Sequence, residues 1–147
     1  MAARGLMRRL AALLVGALLL APAAWADLAD LLGVAPQVLT PQQAFAPELR
    51  SGADGMLELR FEIAPGHYLY RDRLSVADAS GAALTPALPA GDAYDDPESG
   101  RVAVLRGAQT IALGIPARPG VGIGLRYQGC AEGRLCYAPV SVRLQLP

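Results

Sequence analysis

The chain has 147 residues with 13 basic and 13 acidic side chains, and every basic one is an arginine. A net charge of zero without a basic run gives no footprint for nucleic acid and no attraction to an anionic membrane surface. Two cysteines and one histidine fall short of an ordinary four-ligand zinc site, and a lone histidine, His67, argues against a copper centre.

Arg4, Arg8 and Arg9 form a positive n-region, Leu10 to Leu20 is an almost unbroken apolar run, and Ala24-Trp25-Ala26 is a small-x-small cleavage signal. Residues 1–26 are therefore expected to be a secretory signal peptide, because a membrane span needs about 20 apolar residues. The Arg8-Arg9 pair fits an ordinary n-region, so general secretion is expected. Without those three arginines, 13 against 13 becomes ten basic against 13 acidic, a net charge of −3. The remainder, 27–147, is expected to form a single domain around one core, soluble and monomeric. Two cysteines in an exported chain predict an oxidising compartment.

Residues 27–39 read as an irregular or briefly helical lead-in. Thr40-Pro41-Gln42-Gln43 then reads as a helix start with a capping residue, a proline at the first helical position and a capping-box glutamine. Pro47 limits it to one or two turns that set Phe45 against the core. From Met56 the period becomes two, with Leu57, Leu59, Phe61 and Ile63 alternating with Glu58, Arg60 and Glu62 as in a strand with one buried face. After the turn Ala64-Pro65-Gly66, strands are expected at His67 to Arg71 and at Leu74 to Val76, the latter ended by Asp78-Ala79-Ser80-Gly81. Pro86 and Pro89 reduce 82–91 to an edge strand or loop. The acids of Asp92 to Gly100 read as a loop. Strand signals return at Val102 to Leu105, Thr110 to Ile115 and Val121 to Tyr127. Finally Val140, Val142, Leu144 and Leu146 alternate with polar residues. About seven or eight short strands with no ordinary helix predict an all-β, immunoglobulin-like antiparallel β-sandwich.

The chemistry concentrates in Tyr127-Gln128-Gly129-Cys130-Ala131-Glu132-Gly133-Arg134-Leu135-Cys136-Tyr137-Ala138-Pro139. The spacing is too wide for C-x-x-C. Alternation on both sides sets Cys130 and Cys136 at the facing ends of two adjacent strands, where a disulfide closes readily. As a hairpin staple it contributes roughly 2.4 kcal/mol, against about 4.7 for a loop near 100 residues. Near a strand end it is equally suited to exchange. Both readings stay open on the residues alone, and the first makes the chain a secreted immunoglobulin-like binding module.

The run Tyr127-Gln128-Gly129-Cys130-Ala131, followed by Cys136-Tyr137 and Pro139, resembles the cysteine signature of the periplasmic amino-terminal domain of the thiol:disulfide interchange protein DsbD. Pro41-x-x-Ala44-Phe45, Gly66-x-Tyr68-Leu69-Tyr70-Arg71, Leu88-Pro89-x-Gly91 and Gly100 followed by Arg106 extend the resemblance over almost all of 27–147. It implies an immunoglobulin-like fold in the periplasm that needs no cofactor. It also implies electrons taken from a membrane carrier and passed to thioredoxin-fold proteins, such as a disulfide isomerase or the cytochrome c maturation thioredoxin. By position Cys136 matches the cysteine that forms the mixed disulfide and Cys130 the resolving one. Tyr68 and Tyr70 match tyrosines lining the site, Tyr137 completes the signature, and Asp96 matches an acid near the cysteines. That acid would accept a proton but oppose thiolate formation by like charge.

Two departures stand out. The family carries an aromatic over the disulfide within an acidic loop, whereas this chain has Asp96-Pro97-Glu98-Ser99-Gly100. Either Tyr94 substitutes or the site is more open. The chain also ends at Pro147 without membrane segments, so its donor is expected to be a separate membrane protein acting in trans.

Overall fold

The helix predicted after Thr40 forms in the computed structural model, which describes residues 38–147; the expected signal peptide and the lead-in up to residue 37 lie outside the described residues. Helix α1, Pro41–Phe45, opens on a complete capping box: the Gln43 N–H donates to Thr40 Oγ1 at 3.3 Å, and the Thr40 N–H donates to Gln43 Oε1 at 3.0 Å. It stops at Ala46, in the left-handed region with φ 36°, whose N–H closes on the Gln42 carbonyl. One turn suffices to deliver Ala44 and Phe45, both fully buried, to the core.

The strands that follow are β1 (Glu48–Ser51), β2 (Met56–Glu62), β3 (His67–Tyr70), β4 (Ser75–Asp78), β5 (Ala83–Leu84), β6 (Asp92–Asp96) and β7 (Gly100–Leu105). After them come β8 (Ala108–Pro116), β9 (Gly122–Tyr127), β10 (Gly129–Ala131), β11 (Leu135–Cys136) and β12 (Val140–Gln145). They assemble as β1-β2-β8, β11-β10-β3-β7-β6 and β12-β9-β4-β5, with every strand pairing antiparallel. The architecture is the all-β immunoglobulin-like sandwich expected from the alternating pattern. Leu57, Leu59 and Phe61 of β2 are all fully buried and pack with Ile111 and Leu113 of β8 and with Ile123, Leu125 and Tyr127 of β9.

The expected loop at 92–100 is instead a hairpin, with β6 paired to β7 from Asp92↔Val104 to Asp96↔Gly100. Its acids escape a strand pattern because β6 is an edge strand whose side chains are mostly exposed, so burial imposes no apolar alternation. Strand β1 also lacks a sequence signal, since only Leu49 of its four residues is buried.

Alternation along β3 separates two clusters. Leu69 joins the main core, while Tyr68 and Tyr70 point to the other face of their sheet and form a small second cluster with Val104 and Cys130. Within the main core the Tyr127 ring meets Phe45 and Phe61 edge-on, with both centroid distances 5.7 Å. Its hydroxyl is buried without a hydrogen-bond partner among the described residues, and burial pushes its pKa up. Tyr127→Phe is therefore expected to leave stability unchanged or raise it by up to about 1 kcal/mol, read as the urea midpoint.

Candidate active site

The second cluster is where the cysteines lie. The register of β10 sets Cys130 opposite Tyr68 of β3 on one side and opposite Cys136 of β11 on the other. The two cysteines form a disulfide, with Cα atoms 4.0 Å apart. Their exposure is unequal: Cys130 is 1% exposed, whereas Cys136 faces solvent. A nucleophile approaching from outside therefore meets the Cys136 sulfur first.

Asp96, at the end of β6, is the one buried charged residue among those described. Its Oδ2 accepts the Tyr68 hydroxyl at 2.6 Å and the Tyr70 hydroxyl at 2.7 Å; its Oδ1 accepts the backbone N–H groups of Glu98 at 2.9 Å and Ser99 at 2.7 Å. The Tyr68 hydrogen bond, more than any other contact, holds the Asp96 carboxyl below the usual carboxylate range against the opposing cost of burial; Tyr70 and the two backbone donors add to it. Burial and the Asp96 bond push the Tyr68 hydroxyl upward in turn. At neutral pH Asp96 is thus an anion with both oxygens engaged by hydrogen-bond donors.

The Tyr70 oxygen lies 3.3 Å from Cys130 Sγ and 3.7 Å from Cys136 Sγ. Its single proton has the charged Asp96 oxygen as the stronger acceptor. That leaves a lone pair of the phenol turned toward the sulfurs, an arrangement that suits a thiol S–H as donor after reduction. An oxygen of Asp96 and both sulfurs fall within 4.8 Å of one another. As a metal-ligand set they are spent here, the sulfurs in the disulfide and the carboxylate on its four donors.

A cavity of about 250 Å³ opens over this cluster, with Tyr94, Glu98 and Arg134 in its walls. The Tyr94 ring packs on Tyr68, centroids 4.9 Å apart, and Cys136 stays exposed, so Tyr94 is a wall and the site is the more open of the two expected forms. Arg106, bonded to Glu132 at 2.9 and 3.1 Å, lies over both rings at 5.1 Å from Tyr68 and 5.3 Å from Tyr94. Tyr137 follows Cys136 inward: its ring meets Phe45 edge-on at 5.5 Å, and its hydroxyl donates to the Leu39 carbonyl at 2.8 Å. Of the predicted site residues, Cys130, Cys136, Tyr68, Tyr70 and Asp96 converge, while Tyr137 anchors the exit of the cysteine hairpin to the main core.

Residues 35–146 match the family model described as the N-terminal domain of thiol:disulfide interchange protein DsbD. The chain belongs to the DsbD N-terminal domain family. Curated relatives include DsbD of Cronobacter sakazakii, 36% identical over 106 residues, and DsbD 2 of Pseudomonas aeruginosa, 43% identical over 93. Those matches cover 71% and 63% of this chain but only 18% and 15% of the relatives, so the chain spans less than a fifth of their length. Among solved structures, the reduced DsbD N-terminal domain of Neisseria meningitidis superposes with a TM-score of 0.63 at 31% identity, covering 74% of this chain and 89% of that one. A complex between the DsbD and PilB N-terminal domains of the same organism gives 0.60 at 31% identity, covering 76% and 88%.

Sequence reasoning missed Arg73 in this DsbD-type site. It donates to Gln128 Oε1 at 2.9 Å and Ser99 Oγ at 2.8 Å and lies over the Tyr70 ring. No motif marks it; its only local signal is a position three residues after Tyr70.

Proposed function

We propose that residues 27–147, freed of a signal peptide at 1–26, form a periplasmic thiol:disulfide exchange domain in which Cys136 attacks the target and Cys130 resolves. In the reduced domain the Cys136 thiolate attacks one sulfur of a target disulfide, and the other target sulfur leaves as a thiolate and takes up a proton. The Cys130 thiolate then attacks Cys136 Sγ, closing the domain's own disulfide and releasing the target's second thiol. Two electrons pass to the target, and a membrane thiol carrier acting in trans returns the domain to its dithiol form. Thioredoxin-fold proteins fit the target role, and a DsbD N-terminal relative is known in complex with the PilB N-terminal domain.

The observation that carries this reading is the unequal exposure of the two sulfurs, which separates an attacking from a resolving cysteine. Cys130→Ser is expected to trap a mixed disulfide through Cys136 with an oxidised thioredoxin-fold partner on a non-reducing gel, and Cys136→Ser is expected to trap none. Equal trapping by both variants, or none by either, would refute the roles. A reduction potential below about −300 mV would instead favour a secreted binding module closed by a structural bridge.

A further inference from the structure

Arg73 ends the 3-10 turn Arg71–Arg73 that follows β3. In such a turn side chains three apart eclipse, so Arg73 returns over Tyr70 and its guanidinium carbon sits 3.9 Å from the ring centroid. Its fork reaches Ser99 in the β6–β7 turn and Gln128 before β10; Gln128 in turn donates to the Tyr137 carbonyl at 3.0 Å. Among the described residues no carboxylate pairs with Arg73. The ring beneath it carries the hydroxyl that lies between Asp96 and the two sulfurs.

We propose that Arg73 is a positioning residue for thiol:disulfide exchange: it fixes Tyr70 from above and places a cation one aromatic ring from the sulfurs, opposing Asp96 and favouring the Cys136 thiolate. The inference rests on the exchange reading above. The charges facing the sulfurs support the sign. Asp96 and Glu98 are the acids, Arg134 lines the same cavity, and Arg106 and Glu132 neutralise each other. Burial pushes the Tyr68 and Tyr94 hydroxyls upward, so neither adds a negative charge at physiological pH. Removing Arg73 takes a cation away from the neighbourhood of Asp96 and Glu98, a change that disfavours a thiolate.

The test is alkylation of Cys136 by iodoacetamide across pH in the reduced, exported protein, with the modified site located by peptide mass. Arg73→Gln keeps a polar side chain but loses the charge. Its midpoint is expected about half a pH unit above wild type, about threefold slower alkylation below the midpoint. Arg73→Lys is expected to recover most of that shift, and the difference between wild type and Arg73→Gln is expected to shrink in 1 M salt, where the Debye length is about 3 Å. Coincident wild-type and glutamine profiles would overturn the proposal, as would a lysine variant that behaves like glutamine. Alkylation needs no protein partner. A shifted profile together with no trapping by Cys130→Ser would therefore sink the exchange reading while the coupling of Arg73 to the sulfur stands.

Discussion

Asp96→Asn is expected to lower the unfolding free energy by about 2–4 kcal/mol, far more than an isosteric change at an exposed acid. The carboxylate accepts four hydrogen bonds, two hydroxyl and two backbone, and every one is donated to it. An amide keeps the shape but offers one oxygen, so its NH2 group must face either the two tyrosine hydroxyls or the two backbone N–H groups. A phenol can rotate its proton away, but a backbone amide cannot, so the amide nitrogen is expected to face the tyrosines. Tyr68 and Tyr70 then lose the acceptor that fixes their hydroxyls beside the sulfurs.

The pH dependence follows from the depressed carboxyl. A group whose folded pKa lies below its unfolded value contributes stability above the unfolded pKa, near 3.9 for an aspartate. That contribution is lost as pH falls through the folded value, which here lies below the usual carboxylate range. The stability gap between wild type and Asp96→Asn should therefore be constant near neutrality and narrow as pH drops below about 4. Urea denaturation at pH 7 and in strong acid measures it, and a gap that widened on acidification would contradict the assignment. At the sulfurs the sign is opposite. Deleting a negative charge close to both cysteines favours the thiolate, so Cys136 of the reduced variant should alkylate faster than wild type at neutral pH.

How far the molecule can be read from its sequence divides along burial. The alternation of Leu57, Leu59 and Phe61 was legible because each residue meets a core that admits only apolar side chains. The same pattern at Val140, Val142 and Leu144 places β12, where the apolar positions are half-buried and the polar ones exposed. Strand β6 was not legible, because an edge strand with one buried residue carries no such constraint. Within the site, Tyr68 and Tyr70 were assignable to one face from their spacing of two, and both hydroxyls do meet on Asp96. The engagement of Asp96 itself was hidden, since its tyrosine partners lie 28 and 26 residues away. Arg73 was hidden for a related reason: its hydrogen bonds reach 26 and 55 residues along the chain. Local periodicity records which face a side chain takes, and long-range polar pairing leaves no periodic trace.

Gly129→Ala is the second substitution expected to cost heavily, about 2–3 kcal/mol, although its backbone is not in the left-handed region. Gly129 pairs with Leu69 in β10 and is buried. A methyl group there would collide with the Tyr68 carbonyl oxygen and stand 2.6 Å from Cζ and 2.8 Å from Cε1 of Phe45. Neither neighbour can yield cheaply. Phe45 is fully buried and wedged edge-on against Tyr127 and Tyr137, at 5.7 and 5.5 Å. The Tyr68 carbonyl belongs to the strand that sets Tyr68 opposite Cys130, so moving it displaces the buried sulfur from Tyr70. Gly133→Ala is the matched control in the same hairpin. It has φ +67° with nothing within 4 Å of an added Cβ, so it carries backbone strain alone, about 1 kcal/mol. Denaturant midpoints of the two oxidised variants decide between packing and backbone conformation as the constraint on this hairpin. The larger loss belongs to Gly129→Ala if the β3–β10 contact governs, and a larger loss at Gly133 would overturn that account. The reduced forms sharpen the comparison, because the clash at Gly129 involves no sulfur and its cost should survive reduction of the Cys130–Cys136 bond.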